Sequence, residues 1–282
     1  MKQLVAFLLV CTGTIFGQEQ SLLYQIKAPG KKTSYIFGTI HVIPDSLYAF
    51  SNKLEKIISK SDEIILEIAD ISDKTKAMKL LAMPEGKSCF DIFTQQQKDS
   101  VLNWGAALTG ITPAQFETSF KGKKPFVLMQ LPMQKMMMGN IRMYEREIEL
   151  RSKKYNIPLS GLETMEDQIS IFDRMESSTM AHGILDMIHN PSKSEDSYIE
   201  MLTLYKNHDL SGLAKVIENT KDFGESIDEL LTKRNLKWIP KIDSLTTSKS
   251  CFIAVGAGHL AGNNGVINLL KEKGYEVIPV KL

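Results

Sequence analysis

The 282-residue chain is poor in cysteine and in net charge. It has three cysteines, and 34 basic residues against 33 acidic ones give a formal net charge of +1. The cysteine count excludes a disulfide-dense fold, and the balanced charge gives no indication of nucleic-acid binding. The sequence also lacks a Gly-x-Ser-x-Gly elbow, a Walker loop and a His-Glu-x-x-His helix, which excludes three common classes of enzyme motif.

The N-terminal apolar stretch is too short to span a membrane, which needs about 20 apolar residues. Lys2, the apolar segment 4–10 and Gly17 together predict a signal peptide over residues 1–17. The mature chain would begin at Gln18 as a single domain of residues 18–282, exported to a periplasm or secreted, with no transmembrane segment. In that compartment Cys89 and Cys251 are free either to pair or to serve as core residues.

A short unit occurs twice in the chain. Residues 35–37 form an apolar run before Gly38-Thr39-Ile40-His41, and residues 252–255 do the same before Gly256-Ala257-Gly258-His259. A helical pattern and then a second apolar strand pattern follow each copy, which predicts two strand–GxxH–helix–strand units. From about residue 72 to 247 the pattern is mainly helical. We therefore predict an α/β fold with a mixed sheet from both chain ends and a large helical insertion covering the cleft.

Each Gly-x-x-His stands at the end of a predicted strand. Either histidine alone would be interpreted as a strand cap, but duplication of the whole unit favours a shared site. In open α/β sheets ligands bind at the carboxyl ends of strands, so His41 and His259 are predicted to meet across one cleft. Glu67 lies on a predicted strand, residues 63–68, that is otherwise fit for burial, where a carboxylate is costly unless it is paired. Arg234 lies on the apolar side of a predicted helix near Trp238, which indicates an internal carboxylate or a bound anion.

One competing motif can be set aside. Gly256, Gly258 and Ala261 fit the spacing of a dinucleotide-binding fingerprint. The loop at residues 262–265 delays the helix that this fingerprint requires, and only one strand remains after it, so a nicotinamide-binding fold could not be completed.

These residues together resemble the TraB/PrgY/GumN family, whose animal branch is the TIKI group of metal-dependent proteases. The resemblance includes the two Gly-x-x-His motifs, Glu67, the segment Gly161-Leu162-Glu163-Thr164 with Gln168, and Arg234-Asn235. It also extends to the erythromycin-esterase and ChaN-like fold group. The chain departs from the family upstream of Gly161, where Glu145 stands in place of an aspartate, and we do not count Glu145 among the candidate site residues.

The resemblance implies a metal-dependent hydrolase acting on a peptide, or on a small ester or amide. His41, His259, Glu67 and Glu163 would be the metal ligands, for manganese, cobalt, zinc or iron. Glu67 or Glu163 would act as general base, and Arg234 would stabilise an oxyanion or orient a glutamate. Two alternatives stay open: a metal-free esterase with a histidine as general base, and a non-catalytic binding or regulatory module. The substrate, the metal and the oligomeric state are not determined by the sequence.

Overall fold

The computed structural model describes residues 21–69, 73–136, 139–218 and 227–282. The predicted signal peptide lies outside these ranges. Within them, no helix is both long enough and apolar enough to cross a membrane.

Six strands form one mixed sheet in the order β6-β4-β7-β2-β1-β8. The neighbours β6, β4, β7 and β2 run parallel, whereas β1 is antiparallel to both of its neighbours. A separate two-stranded sheet pairs β3 with β5. The strand bounds are β1 Leu23–Lys27, β2 Ser34–Thr39, β3 Ile43–Pro44, β4 Glu63–Leu66, β5 Ile141–Arg142, β6 Leu159–Gly161, β7 Cys251–Gly256 and β8 Glu276–Pro279.

Both predicted strand–helix–strand units are present, but their strands interleave. The first runs β2–α1–β4 and the second β7–α13–β8. Strand β7 lies between β2 and β4, so the two units share one sheet instead of forming separate halves. The first five helices are α1 Asn52–Ile58, α2 Lys74–Leu80, α3 Gln95–Thr109, α4 Pro113–Phe120 and α5 Phe126–Met129. The others are α6 Leu131–Met136, α7 Tyr144–Tyr155, α8 Met165–Arg174, α9 Ser177–His189, α10 Pro191–Lys206, α11 Leu210–Glu218, α12 Lys233–Ser248 and α13 Val266–Glu272.

Local sequence signals explain several helix boundaries. The side chain of Thr94 accepts a hydrogen bond from Gln97 N, and the Gln97 side chain accepts one from Thr94 N, which completes a capping box at the start of α3. Thr164 and Asp167 form the same reciprocal cap on α8. The α8 cap therefore fixes the turn that follows Glu163.

The buried apolar side chains form two clusters. One surrounds the six-stranded sheet and includes Phe37, Phe252 and Trp238. The other lies among the middle helices and includes Phe90, Phe116 and Ile184. Cys251 belongs to the first cluster and Cys89 to the second, and both cysteines are free, so they do not pair.

Candidate active site

Four adjacent parallel strands deliver four of the predicted site residues to one edge of the sheet. Glu163 follows β6, Glu67 follows β4, His259 follows β7 and His41 follows β2. The two Gly-x-x-His units are direct neighbours, with Thr39 opposite Gly256 in the register. The carboxyl ends of these strands are where an α/β sheet places its ligand sites.

Arg234, on α12, contacts three of these four side chains. Its Nη2 donates to Glu67 Oε2 at 2.5 Å and to Glu163 Oε1 at 2.6 Å, and its Nε donates to Glu163 at 3.0 Å. Its Nη1 donates to Leu230 O at 2.9 Å and lies 3.0 Å from His259 Nε2. A guanidinium has five N–H donors, and these contacts engage all five. Arg234 therefore has no donor left for a substrate oxyanion, and its geometry supports the other predicted role, that of orienting the glutamates.

Glu67 is buried, the side chain of Glu163 is 9% exposed, and the oxygens of both are engaged. Glu67 Oε1 accepts the Gly256 N–H at 2.7 Å, and its Oε2 takes the contact from Arg234. Burial would raise the pKa of Glu67, but the neighbouring His259 imidazole, the Arg234 guanidinium and the Gly256 N–H outweigh it and lower the pKa below its ordinary value. Burial raises the pKa of Glu163 despite its hydrogen bonds from Arg234. Neither carboxylate is an uncommitted base in this arrangement.

His259 is buried and held in one tautomer. Its Nδ1 lies 2.7 Å from Asn235 Oδ1, while the Asn235 amide nitrogen donates to the carbonyl oxygens of His259 and Asn264. The amide orientation therefore makes His259 Nδ1 the donor, and Nε2 accepts from Arg234. Burial lowers the pKa of His259 to about 3, so its imidazole is neutral at physiological pH.

His41 has a different environment. Its side chain is 65% exposed, and its Nδ1 lies 3.0 Å from Glu145 Oε1. Glu145 comes from α7, is itself buried, and also accepts a 2.7 Å hydrogen bond from Thr39. The Glu145 carboxylate raises the pKa of His41 to about 9. Nε2 has no hydrogen-bond partner within the described part of the chain and lies beside Gly256, so it is the ring nitrogen that the site leaves open.

The two motif glycines allow close approach instead of a sharp turn. Neither has a positive φ angle, so left-handed backbone is not the reason for glycine. A Cβ on Gly38 would lie 2.8 Å from Leu260 Cδ1. A Cβ on Gly256 would lie 3.3 Å from Glu67 Oε1 and 3.7 Å from His41 Nε2. Close packing against neighbouring side chains is therefore the reason for glycine at these two positions.

A family model described as TraB/PrgY/gumN family matches residues 22–279. The chain belongs to this family. It is 23% identical to the uncharacterized protein YbaP of Shigella flexneri over 247 residues, which cover 87% of this chain and 90% of that relative. It is 38% identical to metalloprotease TIKI1 of Xenopus tropicalis over 85 residues, and 46% identical to metalloprotease TIKI2 of the same species over 52 residues. These matches cover 26% and 17% of this chain but only 17% and 10% of the metalloproteases.

The side chains of this TraB/PrgY/gumN protein do not form a metal-ligand set as they stand. Among the described residues, no group of three or more histidine, cysteine, aspartate or glutamate side chains is placed to hold a metal ion. The guanidinium of Arg234 contacts Glu67, Glu163 and the Nε2 lone pair of His259, which are donors that a cation would need. The four predicted ligands are thus close to one another, but three of them already contact the guanidinium of Arg234.

Sequence reasoning missed two positioning residues of this family member. Glu145 was set aside because glutamate replaces the family's aspartate, yet its carboxylate reaches His41 and Thr39. Asn235 was noted only as part of the Arg-Asn pair, yet it fixes the His259 tautomer. The family motif was the available signal for both. The remaining histidines of the described chain, His182, His189 and His208, lie on or beside α9 and α10.

Proposed function

We propose that this protein is a hydrolase that cleaves a peptide bond, or a related ester or amide, with His41 as the proton-transferring group. The observation that carries the proposal is the His41–Glu145 pair, which leaves Nε2 open to a cavity at the carboxyl ends of the parallel strands. The partial similarity to proteins named metalloproteases supports hydrolysis as the reaction class. Other site side chains are mutually hydrogen-bonded, which makes them a rigid support for this group.

The proposed reaction adds water across the carbonyl carbon–heteroatom bond. Neutral His41 takes a proton from water at Nε2 as the water oxygen bonds to the carbonyl carbon. The bond to nitrogen or oxygen then breaks, and the proton passes from Nε2 to the leaving atom. Glu145 stabilises the imidazolium formed between these steps and holds Nδ1 as the donor. Such general acid–base catalysis typically contributes about 10²–10⁴-fold.

Metal dependence is a separate element of the proposal. The TIKI relatives are named metalloproteases, which supports it. The contacts of Arg234 with Glu67, Glu163 and His259 do not support it, because they occupy atoms that a metal ion would need. Elemental analysis of protein purified without chelator decides the matter. A stoichiometric divalent ion would require Arg234 to move away from the glutamates, whereas hydrolysis by metal-free protein would support the His41 reaction alone.

Export is proposed with the hydrolase activity, from Lys2, the apolar segment 4–10 and Gly17. N-terminal sequencing of protein from the native cell should find a start near Gln18. An intact Met1 on the native protein would contradict export.

The function is tested with a library of quenched-fluorescence peptides and a set of aryl esters. His41→Gln should lower kcat/KM by about a hundredfold or more on whichever class is cleaved. His182→Gln, on the exposed surface of α9, is the matched control and should be fully active. If the wild-type protein binds peptides but cleaves none of these compounds, the non-catalytic binding module replaces the hydrolase proposal.

A further inference from the structure

Two cavities meet at His41. The first, of about 430 Å³, is called here the β7 lobe and includes residues 256–259, Met201 and Leu213 in its lining. The second, of about 490 Å³, is called the α8 lobe and includes Met165, Ile169 and Ala77. The lobes share His41, Arg234, Phe126, Gln130, Phe172 and Leu230 in their walls. A group beside His41 is thus flanked by space on both sides.

The walls of both lobes are apolar away from this meeting point. Methionine, leucine, isoleucine and phenylalanine side chains provide most of the lining contributed by described residues. The histidines and charged residues there are His41, His259, Glu67, Glu145 and Arg234, all of which belong to the site. The hydroxyl of Tyr205, which also lines the β7 lobe, donates to Gly38 O. Apolar surface of this kind is stabilised by contact with apolar ligand groups.

The charged groups other than His41 are not available to bind a peptide terminus. Arg234 has all its donors engaged, and Glu67 is paired with it. Glu145 Oε1 is bonded to Thr39 and His41. Glu145 Oε2 lacks a hydrogen-bond partner within the described residues, but less than 1 Å² of it is accessible, so a terminal ammonium cannot reach it. A terminal ammonium placed in either lobe would be a desolvated charge without a counter-ion, which is strongly unfavourable. A terminal carboxylate would find its cation only at His41, where it would occupy the Nε2 atom that the proposed reaction uses.

We infer that the substrate is an extended peptide segment with apolar side chains on both sides of the scissile bond, and that this bond is internal and distant from either terminus. The inference rests on the proposed function. One lobe takes the apolar side chain before the bond and the other takes the one after it, while the carbonyl lies at His41. Cleavage adds the water oxygen to the carbonyl carbon and a proton to the departing nitrogen, as set out above.

The first experiment compares quenched-fluorescence peptides of one length with acetylated and amidated ends. Leucine or phenylalanine on both sides of the central bond should give kcat/KM at least tenfold above serine on both sides, and aspartate should be poorest. Mass spectrometry should place the cut at the central bond. Removal of terminal residues one at a time from uncapped peptides would overturn the inference, as would equal rates for leucine and serine.

Lobe variants identify the surfaces responsible. Ala77→Phe fills the α8 lobe and should lower kcat/KM for peptides with a large apolar side chain on one side of the bond. Peptides with glycine at that position should keep their kcat/KM. Met78→Phe is the matched control, because Met78 is the next residue of α2 and is 68% exposed. Met201→Lys should shift the preference on the other side of the bond from leucine to glutamate, and Ile199→Lys, on the exposed side of α10, should not. If neither lobe variant changes the preference, the lobes are not the subsites.

The proposed function and the substrate inference are contradicted by different results. If no capped peptide or ester is cleaved by wild-type protein, the proposed function fails. If esters or polar peptides are cleaved without preference for apolar side chains, hydrolysis stands and the substrate inference fails. Binding of the leucine peptide to the His41→Gln variant, measured by fluorescence anisotropy, gives a readout independent of turnover and should be weakened by Met201→Lys.

Discussion

The two Gly-x-x-His units have the same spacing and neighbouring strands but give their histidines opposite properties. His41 is mostly exposed beside the carboxylate of Glu145, and its pKa is raised to about 9. His259 is buried beside Arg234 and the Asn235 amide, and its pKa is lowered to about 3. A repeated motif thus fixes the positions of two imidazoles, while the chain between the repeats determines their charge. This contrast is the basis for proposing His41 as the reacting group and His259 as part of its support.

The largest expected effect comes from removing Arg234, the cation beside His259. Arg234→Met leaves Glu67 and Glu163 buried without a counter-charge, which should lower the free energy of unfolding by about 3–5 kcal/mol. Urea denaturation measures this loss. Lys233→Met, at the neighbouring half-exposed position, is the control and should change stability little. Equal stability of the two variants would mean that the cluster does not form in the folded protein.

The two histidines should separate in activity and stability. His41→Ala should lower kcat/KM by about a hundredfold or more with little change in unfolding free energy, because the side chain is exposed. His259→Ala should cost about 1–3 kcal/mol of stability, since it leaves buried partners unsatisfied. Activity assays and urea denaturation on both variants test the division, with His182→Ala as control. Full activity of His41→Ala alongside loss in folded His259→Ala would reverse the two roles.

The pH profile should identify which histidine titrates in the reaction. If neutral His41 is the base, kcat/KM should rise with pH and level off near the His41 pKa of about 9. Glu145 and Glu67 favour the imidazolium and raise this pKa, whereas Arg234 lowers it. Glu145→Gln removes the largest of these influences, so the midpoint should move down toward about 6.5, the ordinary value for histidine. An unchanged midpoint in Glu145→Gln would exclude His41 as the titrating base.

The smallest expected effect concerns the hydrogen bond from Thr39 to Glu145, the carboxylate beside His41. Thr39→Val removes the hydrogen bond to Glu145 Oε1 but keeps the shape of the side chain. We expect a loss of about 0.5–1.5 kcal/mol in unfolding free energy and less than a tenfold change in kcat/KM. Thr33→Val, on an exposed residue just before β2, is the control for thermal and urea denaturation. A loss as large as that of His41→Ala would show that Thr39 takes part in the reaction directly.

The fold and the positions of the site residues followed from local signals in the sequence. Apolar runs ending in Gly-x-x-His located β2 and β7, and a carboxylate on a strand fit for burial indicated Glu67, which the structure places just after β4. The mixed sheet with a helical insertion was confirmed. The interleaving of strands was not predicted, because the pairing of β7 with both β2 and β4 depends on contacts between residues far apart in the chain.

The chemistry of each residue was less accessible to sequence reasoning. Which atoms of Arg234 remain free depends on how many acceptors surround it, and that number is a property of the packed site. The same holds for Glu145, which acts on His41 across 104 positions of sequence. A motif can therefore gather candidate residues, but it does not indicate which of their lone pairs and protons are already in use.

The arrangement of the sheet has a consequence for the order of events during synthesis. Strand β7 pairs with β2 across 252 − 35 = 217 positions, as in the pair Tyr35 and Phe252, and Ser21 Oγ donates to Val280 O at 2.7 Å. Until residue 251 has left the ribosome, β2 and β4 each lack a neighbour and present open hydrogen-bonding edges. Such long-range pairing slows folding and lengthens the time during which these edges are exposed. The nascent chain therefore lacks the sheet edge that carries the candidate site for most of its synthesis, and the site is complete only when the last strands have been made.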